Sequence, residues 1–386
     1  MSDIIMYGAA IIAVAVVVFM LIKKMDIKIT KATELKTKPT LEEEASLGFG
    51  KRFTDHMFMM NYDNGEWHDA RIVPYQRLSL DPSCSVLHYA QEIFEGLKAY
   101  RADDGRILMF RAKDNAQRLN NSARRLCMPE IDIDFNYEAM RQLVQVERDW
   151  VPHSAGTSLY LRPTMIAVDE ALGVHAAHSY LYYIICAPSG AYYKAGLAPI
   201  RIRVEDKYVR AVRGGTGSAK TGGNYACSIL AGAEAEKEGY SQVLWLDGEH
   251  LKYVQEVGAM NMMFLIDGKL VTAPLHDTIL PGITRRSVMT LAREMGVEVE
   301  ERPISVDELI AAGENGKLTE AFGTGTAAVV SPVGELAYRD KHIMIGDKSV
   351  NNGIGELTMK LYNTLTGLQW GRIEDTHGWV TDIDKK

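Results

Sequence analysis

Cysteine is scarce in this chain. The four present, Cys84, Cys127, Cys186 and Cys227, lie far apart, with no Cys-x-x-Cys pair and no cysteine–histidine spacing of the zinc-binding kind. A disulfide framework is thereby excluded, free thiols in a reducing compartment are expected, and no metal site is expected. A basic excess is lacking as well. The 43 Lys and Arg stand against 50 Asp and Glu, a net charge of −7, which argues against nucleic acid as a partner. No internal repeat and no low-complexity segment is found. What is present is ordinary globular composition, 47% hydrophobic and 24% charged, over 386 residues, a length that favours two domains.

Long apolar runs are absent too, with one exception. Residues 4–22 read IIMYGAAIIAVAVVVFMLI, nineteen residues without a charge, followed by Lys23-Lys24. At about 1.5 Å per residue such a helix spans roughly the 30 Å hydrocarbon core. The expectation is a single N-terminal transmembrane helix within residues 1–24. The bilayer is then a partner through residues 4–22, and the two lysines place a tethered catalytic body in the cytoplasm. The competing reading starts a soluble protein at Met25. Residues 25–47 are polar, contain Pro39 and show no apolar periodicity, as a flexible tether would.

From residue 48 the texture is that of an α+β protein. Strands are expected at 57–62, 107–110, 158–168 and 179–188, and helices at 116–126 and 137–150, with Asp134 as a cap for the second. Residues 48–188 form a small α/β domain on this reading, 189–196 an interdomain loop, and 197–386 a larger domain. In the latter, 200–205, 243–247 and 261–273 read as strands, with a turn at Asp267-Gly268. Helices are expected from about Tyr225 to Glu238 and from Ile283 to Met295.

In the stretch GGTGSAKTGGNY, residues 214–225, the four residues before Lys220 and the three after it are all Gly, Ser, Ala or Thr. A lysine so placed serves as a phosphate ligand or as a nucleophilic amine. The phosphate reading, a P-loop, fails at Ala219, where glycine is needed. It fails again at Gly222-Gly223, which would break the helix such a loop must open. The amine reading, a Schiff-base lysine for pyridoxal phosphate, needs a carboxylate for the pyridine nitrogen, a donor for the phenolate oxygen, and N–H groups plus a cation for the phosphate. Glu256, Tyr225, the helix opening Leu280–Thr284, the turn Gly323–Ala327 and Arg111 are available for these tasks.

Ten segments in order carry a resemblance that covers residues 47–380. They are GFGKRFTDHMF, HYAQEIFEGLKAY, MFRAKDNAQRL, SLYLRPT, APSGAYY, GSAKTGGNYA, QEVGAMN, ILPGITRRS, FGTGTAAVVSPV and WGRIEDTHGWV. With them the chain resembles the branched-chain-amino-acid aminotransferases of the fold-type IV pyridoxal-phosphate enzymes. The resemblance implies the two-domain fold-type IV architecture, pyridoxal 5′-phosphate as cofactor, and a homodimer. It makes Lys220 the catalytic residue, which holds the cofactor and moves the proton at Cα. Tyr225 and Glu256 would contact its ring. Arg111, Leu280, Gly282, Ile283, Thr284, Gly325 and Thr326 would surround its phosphate.

On the substrate side the resemblance implies Phe49, Tyr89, Phe94, Tyr160 and Tyr192 as an aromatic wall, Arg162 as its orienting cation, and Thr326 and Ala327 as carboxylate binders. The implied substrates are leucine, isoleucine and valine, with 2-oxoglutarate and glutamate as the second pair. Three positions depart from the family. Ala259 stands where threonine is frequent, Met263 where an aromatic is common, and Ala328 and Ser331 replace a redox-sensitive cysteine pair, so no thiol switch is expected there. The alternatives are a D-amino-acid aminotransferase or aminodeoxychorismate lyase of the same fold, or a membrane-tethered protein of that fold without turnover.

Overall fold

The computed structural model describes residues 25–385 except 45, 191–196, 348 and 350. Its first half builds strands β1 (Lys28–Ile29), β2 (His56–Asp63), β3 (Glu66–Pro74), β4 (Glu92–Phe94), β5 (Leu97–Arg101), β6 (Ile107–Phe110), β7 (Ser158–Ala167) and β8 (Tyr180–Ser189). Among the described residues these run in the order β1-β3-β2-β8-β7-β5-β6, with β4 on β7, and the chain's last strand, Val380–Asp382, pairs with β6 to make nine. The C-terminus thus returns to the first sheet rather than ending in the second half.

The second half contributes β9 (Ile200–Glu205), β10 (Gln242–Leu246), β11 (Val254–Val257), β12 (Met260–Ile266), β13 (Lys269–Thr272), β14 (Val299–Glu301), β15 (Leu318–Gly325), β16 (Val329–Tyr338) and β17 (Lys341–Met344). Pairing runs β11-β10-β9-β16-β15-β12, and β12 also pairs with β11, so these strands close on themselves as a barrel. Closure removes the exposed edges that an open sheet would leave. The β12–β13 hairpin turns at Asp267-Gly268, both at positive φ (53° and 79°), as a two-residue hairpin turn requires.

Each half has its own core. Phe58, Met60, Leu159 and Leu161 of the first sheet pack against Leu119 and Leu143, carried by the helices Ala112–Arg125 and Ile133–Val146. The second of these helices is capped by Asp132, whose side chain accepts from the Phe135 N–H, and not by Asp134, which reaches Lys113. The helices Ile283–Glu294 and Glu356–Gln369 share a core with Met263 and Phe322 of the barrel. The helix expected near 225–238 is two pieces, Gly223–Ala226 and Ile229–Lys237.

The N-terminal reading needs correction. Residues 4–22 lie outside the described residues, and no helix among the described residues is long and apolar enough to cross a membrane. Nor does the segment after them behave as a free tether. Met25 and Ile27 pack against the first core, and Lys28 and Ile29 pair in parallel with Arg71 and Ile72. Further along, the Lys36 N–H donates to Asp55 Oδ1 at 2.7 Å, and Glu44 accepts from the N–H groups of His153 and Ser154. The reason is physical. Most side chains of the segment stay exposed, and it is held to the body by strand pairing, by a few packed residues and by the buried Glu44 carboxylate. The transmembrane helix, the bilayer partner and the membrane-tethered localisation are therefore withdrawn.

Candidate active site

Lys220 is held from both halves of the chain. Its N–H donates to Ser122 Oγ at 2.8 Å, and its carbonyl accepts from the Phe94 N–H at 2.9 Å. Asn224 Nδ2 ties the carbonyls of Thr216 and Ala219, each at 2.8 Å, and Thr221 Oγ1 donates to the Glu92 carbonyl at 2.7 Å. Packing constrains several of the small residues. A Cβ on Gly217 would lie 2.6 Å from Thr278 Cα, and one on Gly222 would lie 2.0 Å from Glu92 Oε1.

The amine itself donates to Tyr225 Oη at 2.7 Å and sits 4.6 Å from the Phe94 ring centre. Burial, with the Arg118 guanidinium beside it, lowers Lys220 to about 8. Burial, with Glu256 nearby, pushes the Tyr225 phenol up to about 12. A buried amine that gives up its proton near pH 8, bonded to a neutral phenol, is suited to nucleophilic attack and to proton transfer.

The amine opens into a cavity of about 420 Å³ between the first sheet and the barrel. Most of the residues expected from sequence line it: Phe49, Phe94, Tyr160, Arg162, Tyr225, Leu280, Gly282, Ile283, Thr284, Gly325, Thr326 and Ala327. Tyr89 does not. It ends a short helix at the surface, its hydroxyl bonded to the Leu172 carbonyl. Tyr192 lies outside the described residues.

Arg111 is not in the cavity either. It precedes the helix Ala112–Arg125 with φ of 53°, and its guanidinium is spent on Asp114 (2.6 Å) and Ser287 Oγ (2.8 Å). Besides Arg162, the arginine that lines the cavity is Arg118, which sequence reasoning missed. It is paired twice with buried Glu95, Nε to Oε1 at 2.7 Å and Nη2 to Oε2 at 2.9 Å, and Nη1 donates to the Pro281 carbonyl at 3.2 Å. Glu95 also accepts from Asn115 Nδ2 at 2.7 Å. Burial opposes the charge on Glu95, but Arg118 wins and holds the carboxyl below its usual range.

Beside Arg118 the helix Ile283–Glu294 begins at Gly282, and no side chain caps it. A Cβ at Gly282 would fall 1.9 Å from Asn261 Oδ1, so only glycine allows this approach. An uncapped helix start next to a buried arginine is an anion site. Thr324 Oγ1, on β15 at the same wall, is buried without a hydrogen-bond partner. The cavity thus presents an anion site, an unused hydroxyl and an amine of lowered basicity, a set that fits a phosphorylated aldehyde.

Glu256 stands just behind this wall. It is 2% exposed; Oε1 accepts from the Leu280 N–H at 2.6 Å, and Oε2 lies 3.1 Å from Arg210 Nε. Burial raises its carboxyl, and Arg210 and the Leu280 N–H pull it back. Arg210, also missed, donates in addition to the carbonyls of Thr278 (2.9 Å) and Gly217 (3.3 Å). It therefore ties the carboxylate to the lysine loop.

The opposite wall is aromatic. Tyr160 meets Phe49 edge-on at 4.8 Å between ring centres and accepts from Arg162 Nη2 at 3.0 Å; the Arg162 guanidinium lies 4.7 Å over Phe94. Gly96 brings its backbone so near Tyr160 that a Cβ would sit 2.0 Å from the hydroxyl. Thr326 Oγ1 donates to the Gly96 carbonyl at 3.2 Å, and Lys98 Nζ donates to the Ala327 carbonyl at 2.8 Å. Burial lowers Lys98 to about 8.

The chain is similar to known proteins along most of its length. The family model described as amino-transferase class IV matches residues 92–336. Over 363 residues the chain is 51% identical to "Branched-chain-amino-acid aminotransferase 2" of Bacillus subtilis, covering 93% of this chain and 98% of that one. Among solved structures, the Escherichia coli branched-chain amino acid aminotransferase superposes with a TM-score of 0.70 at 30% identity, over 85% of this chain and 99% of the other. A T.th. branched-chain amino acid aminotransferase complexed with N-(5′-phosphopyridoxyl)-L-glutamate superposes with a TM-score of 0.67 at 29% identity, over 84% and 98%.

Proposed function

We propose that Lys220 carries the chemistry of this chain, which belongs to the class IV aminotransferases and, among them, to the branched-chain-amino-acid aminotransferases. The reaction is transfer of the amino group of leucine, isoleucine or valine to 2-oxoglutarate, giving the branched 2-oxo acid and glutamate. The observation that carries this reading is the buried Lys220 amine, lowered to about 8, facing an aromatic wall across a cavity with an anion site at one end.

Pyridoxal phosphate supplies an electron sink that makes the Cα proton of the amino acid removable. Arg118, the N–H groups at the start of the helix Ile283–Glu294, and Thr326 hold its phosphate on this reading, with Thr324 Oγ1 as a further donor. Glu256, backed by Arg210, presents a carboxylate toward the ring nitrogen, and Tyr225 holds the phenolate side. Lys220 takes the proton from Cα and returns it, as general base and then general acid. Phe49, Phe94 and Tyr160 enclose a branched aliphatic side chain and exclude water. Arg162, stacked on Phe94, meets the side-chain carboxylate of the second substrate. The solved relative holding a phosphopyridoxyl-glutamate adduct supports glutamate as that partner.

The small domain at 48–188, the loop at 189–196, the large domain from 197 and a homodimer belong to the same proposal. The dimer rests on the resemblance, and light scattering on the purified chain checks it. The reaction is tested by incubating the cofactor-loaded protein with 2-oxoglutarate and each of L-leucine, D-alanine and 4-amino-4-deoxychorismate. Glutamate formed with L-leucine alone supports the reading. Turnover with one of the other two and none with L-leucine would favour the alternatives within the fold.

A further inference from the structure

Away from the cavity, the connection between β7 and β8 gathers Asp169, His175 and His178, whose ligand atoms all lie within 4.8 Å of one another. Asp169 Oδ2 is 3.0 Å from His175 Nε2 and 3.4 Å from His178 Nδ1. Those separations bracket the roughly 3.3 Å edge of a tetrahedron with metal–ligand bonds of about 2.0 Å.

The groups are also aimed. His175 Nδ1 is 2.7 Å from the Gly173 carbonyl, an acceptor that keeps the proton on Nδ1 and leaves Nε2 to face Asp169. A backbone carbonyl on the far nitrogen is the arrangement that orients metal-binding histidines. Asp169 is set by the Ser179 N–H on Oδ1 (2.7 Å) and by the His178 N–H, 3.0 Å from both oxygens, and Oδ2 is the oxygen that also meets the two imidazoles. Its own carbonyl accepts from the Ser85 N–H at 2.9 Å, and Glu170 bridges Cys84, so this end of the connection is anchored to the body. His178 is the loose member, its side chain 85% exposed, and its Nδ1 lies within 4.8 Å of His175 Nε2.

We propose that Asp169 Oδ2, His175 Nε2 and His178 Nδ1 form a binding site for a divalent transition-metal ion, Zn²⁺ by ligand type. Two imidazoles and a carboxylate suit Zn²⁺ over Mg²⁺ or Ca²⁺, which prefer oxygen alone. The ion takes the place of the proton between His175 and Asp169 and keeps a fourth position for water. Its effect is local: it clamps the β7–β8 connection, whose Val174 and His175 line a cavity with Thr216, Thr221 and Gly223 of the lysine loop.

The test is equilibrium dialysis of the holoenzyme against Zn²⁺, with metal counted by mass spectrometry, for the wild type and for His175→Ala/His178→Ala. Neither histidine touches the catalytic cavity, so the variant is expected to fold and turn over as the wild type does. One Zn²⁺ per chain in the wild type, absent from the double variant at the concentration that half-saturates the wild type, is the expected result. Equal zinc in both proteins, or none in the wild type, overturns the proposal. Asp169→Asn is the second variant, expected to bind more weakly with the histidines intact; undiminished zinc binding there also counts against the site.

Discussion

Arg118 and Glu95 form a buried bidentate pair, 2.7 and 2.9 Å, that joins the helix Ala112–Arg125 to the strand turn beneath the cavity. Glu95 fixes the guanidinium where an anion entering past Gly282 would meet it. The pair is the clearest structural device the site possesses outside Lys220.

Arg118→Gln should therefore weaken cofactor binding and also destabilise the fold by roughly 3–5 kcal/mol, because Glu95 is left buried without its cation. Arg111→Gln should leave cofactor affinity nearly unchanged, since Arg111 faces Asp114 and Ser287 instead. Spectroscopic titration with pyridoxal phosphate, beside urea unfolding, separates the two. Equal loss of affinity in both variants would contradict the assignment of Arg118.

Lys220→Ala should abolish turnover with the fold intact. In the cofactor-free wild type, capture of pyridoxal phosphate needs the neutral amine, which is lowered to about 8. The capture rate should rise with pH up to about 8 and level off above it. A rise that continues unabated to pH 10 would mean that the amine is not lowered.

Lys98 gives a stability signature. Its folded pKa is about 8, below its ordinary value of 10.5. Between these values the unfolded chain binds more protons than the folded one. Stability therefore rises with pH across that window, and the penalty, roughly 3 kcal/mol, is fully present below it. Lys98→Met removes the penalty but strands the Ala327 carbonyl. Relative to wild type it should look best at pH 7 and lose about 2–3 kcal/mol of that relative standing by pH 10. Urea unfolding of the cofactor-free pair at both pH values reads this directly, and a gap that does not move contradicts the lowered pKa.

Gly96→Ala should displace Tyr160, because the added Cβ would sit 2.0 Å from its hydroxyl. Movement of that ring disturbs both Phe49 and Arg162, so KM for leucine should rise about tenfold or more, a cost of at least ~1.4 kcal/mol. An unchanged KM would separate the Tyr160 wall from substrate binding.

Much of this was legible in the sequence because the chemistry needs local patterns. The glycine-flanked Lys220, the Asp267-Gly268 turn and the helix opening at Gly282 each show themselves within a few residues. The choice between Arg111 and Arg118 could not be made that way. They are seven residues apart, Arg111 just before the helix Ala112–Arg125 and Arg118 within it, and what separates them is Glu95, brought by a different element. The inward neighbours Ala116 and Leu119 were the available signal that Arg118 faces the core. Arg210 was hidden for the same reason, since its partners Glu256, Thr278 and Gly217 are remote in sequence. Asp134 was read as the cap, and the backbone geometry gives that role to Asp132, two residues earlier. The segment from Met25 to Leu47 looked free because its anchors, one short strand pairing and the buried Glu44, leave no periodic trace.

The most direct test of the account is the visible absorption of the cofactor-loaded protein during a half-reaction. Adding L-leucine without any oxo acid should bleach the band of the lysine-bound cofactor, and adding 2-oxoglutarate should restore it. A protein that takes up no pyridoxal phosphate, or one whose band ignores L-leucine, would contradict the central role given to Lys220.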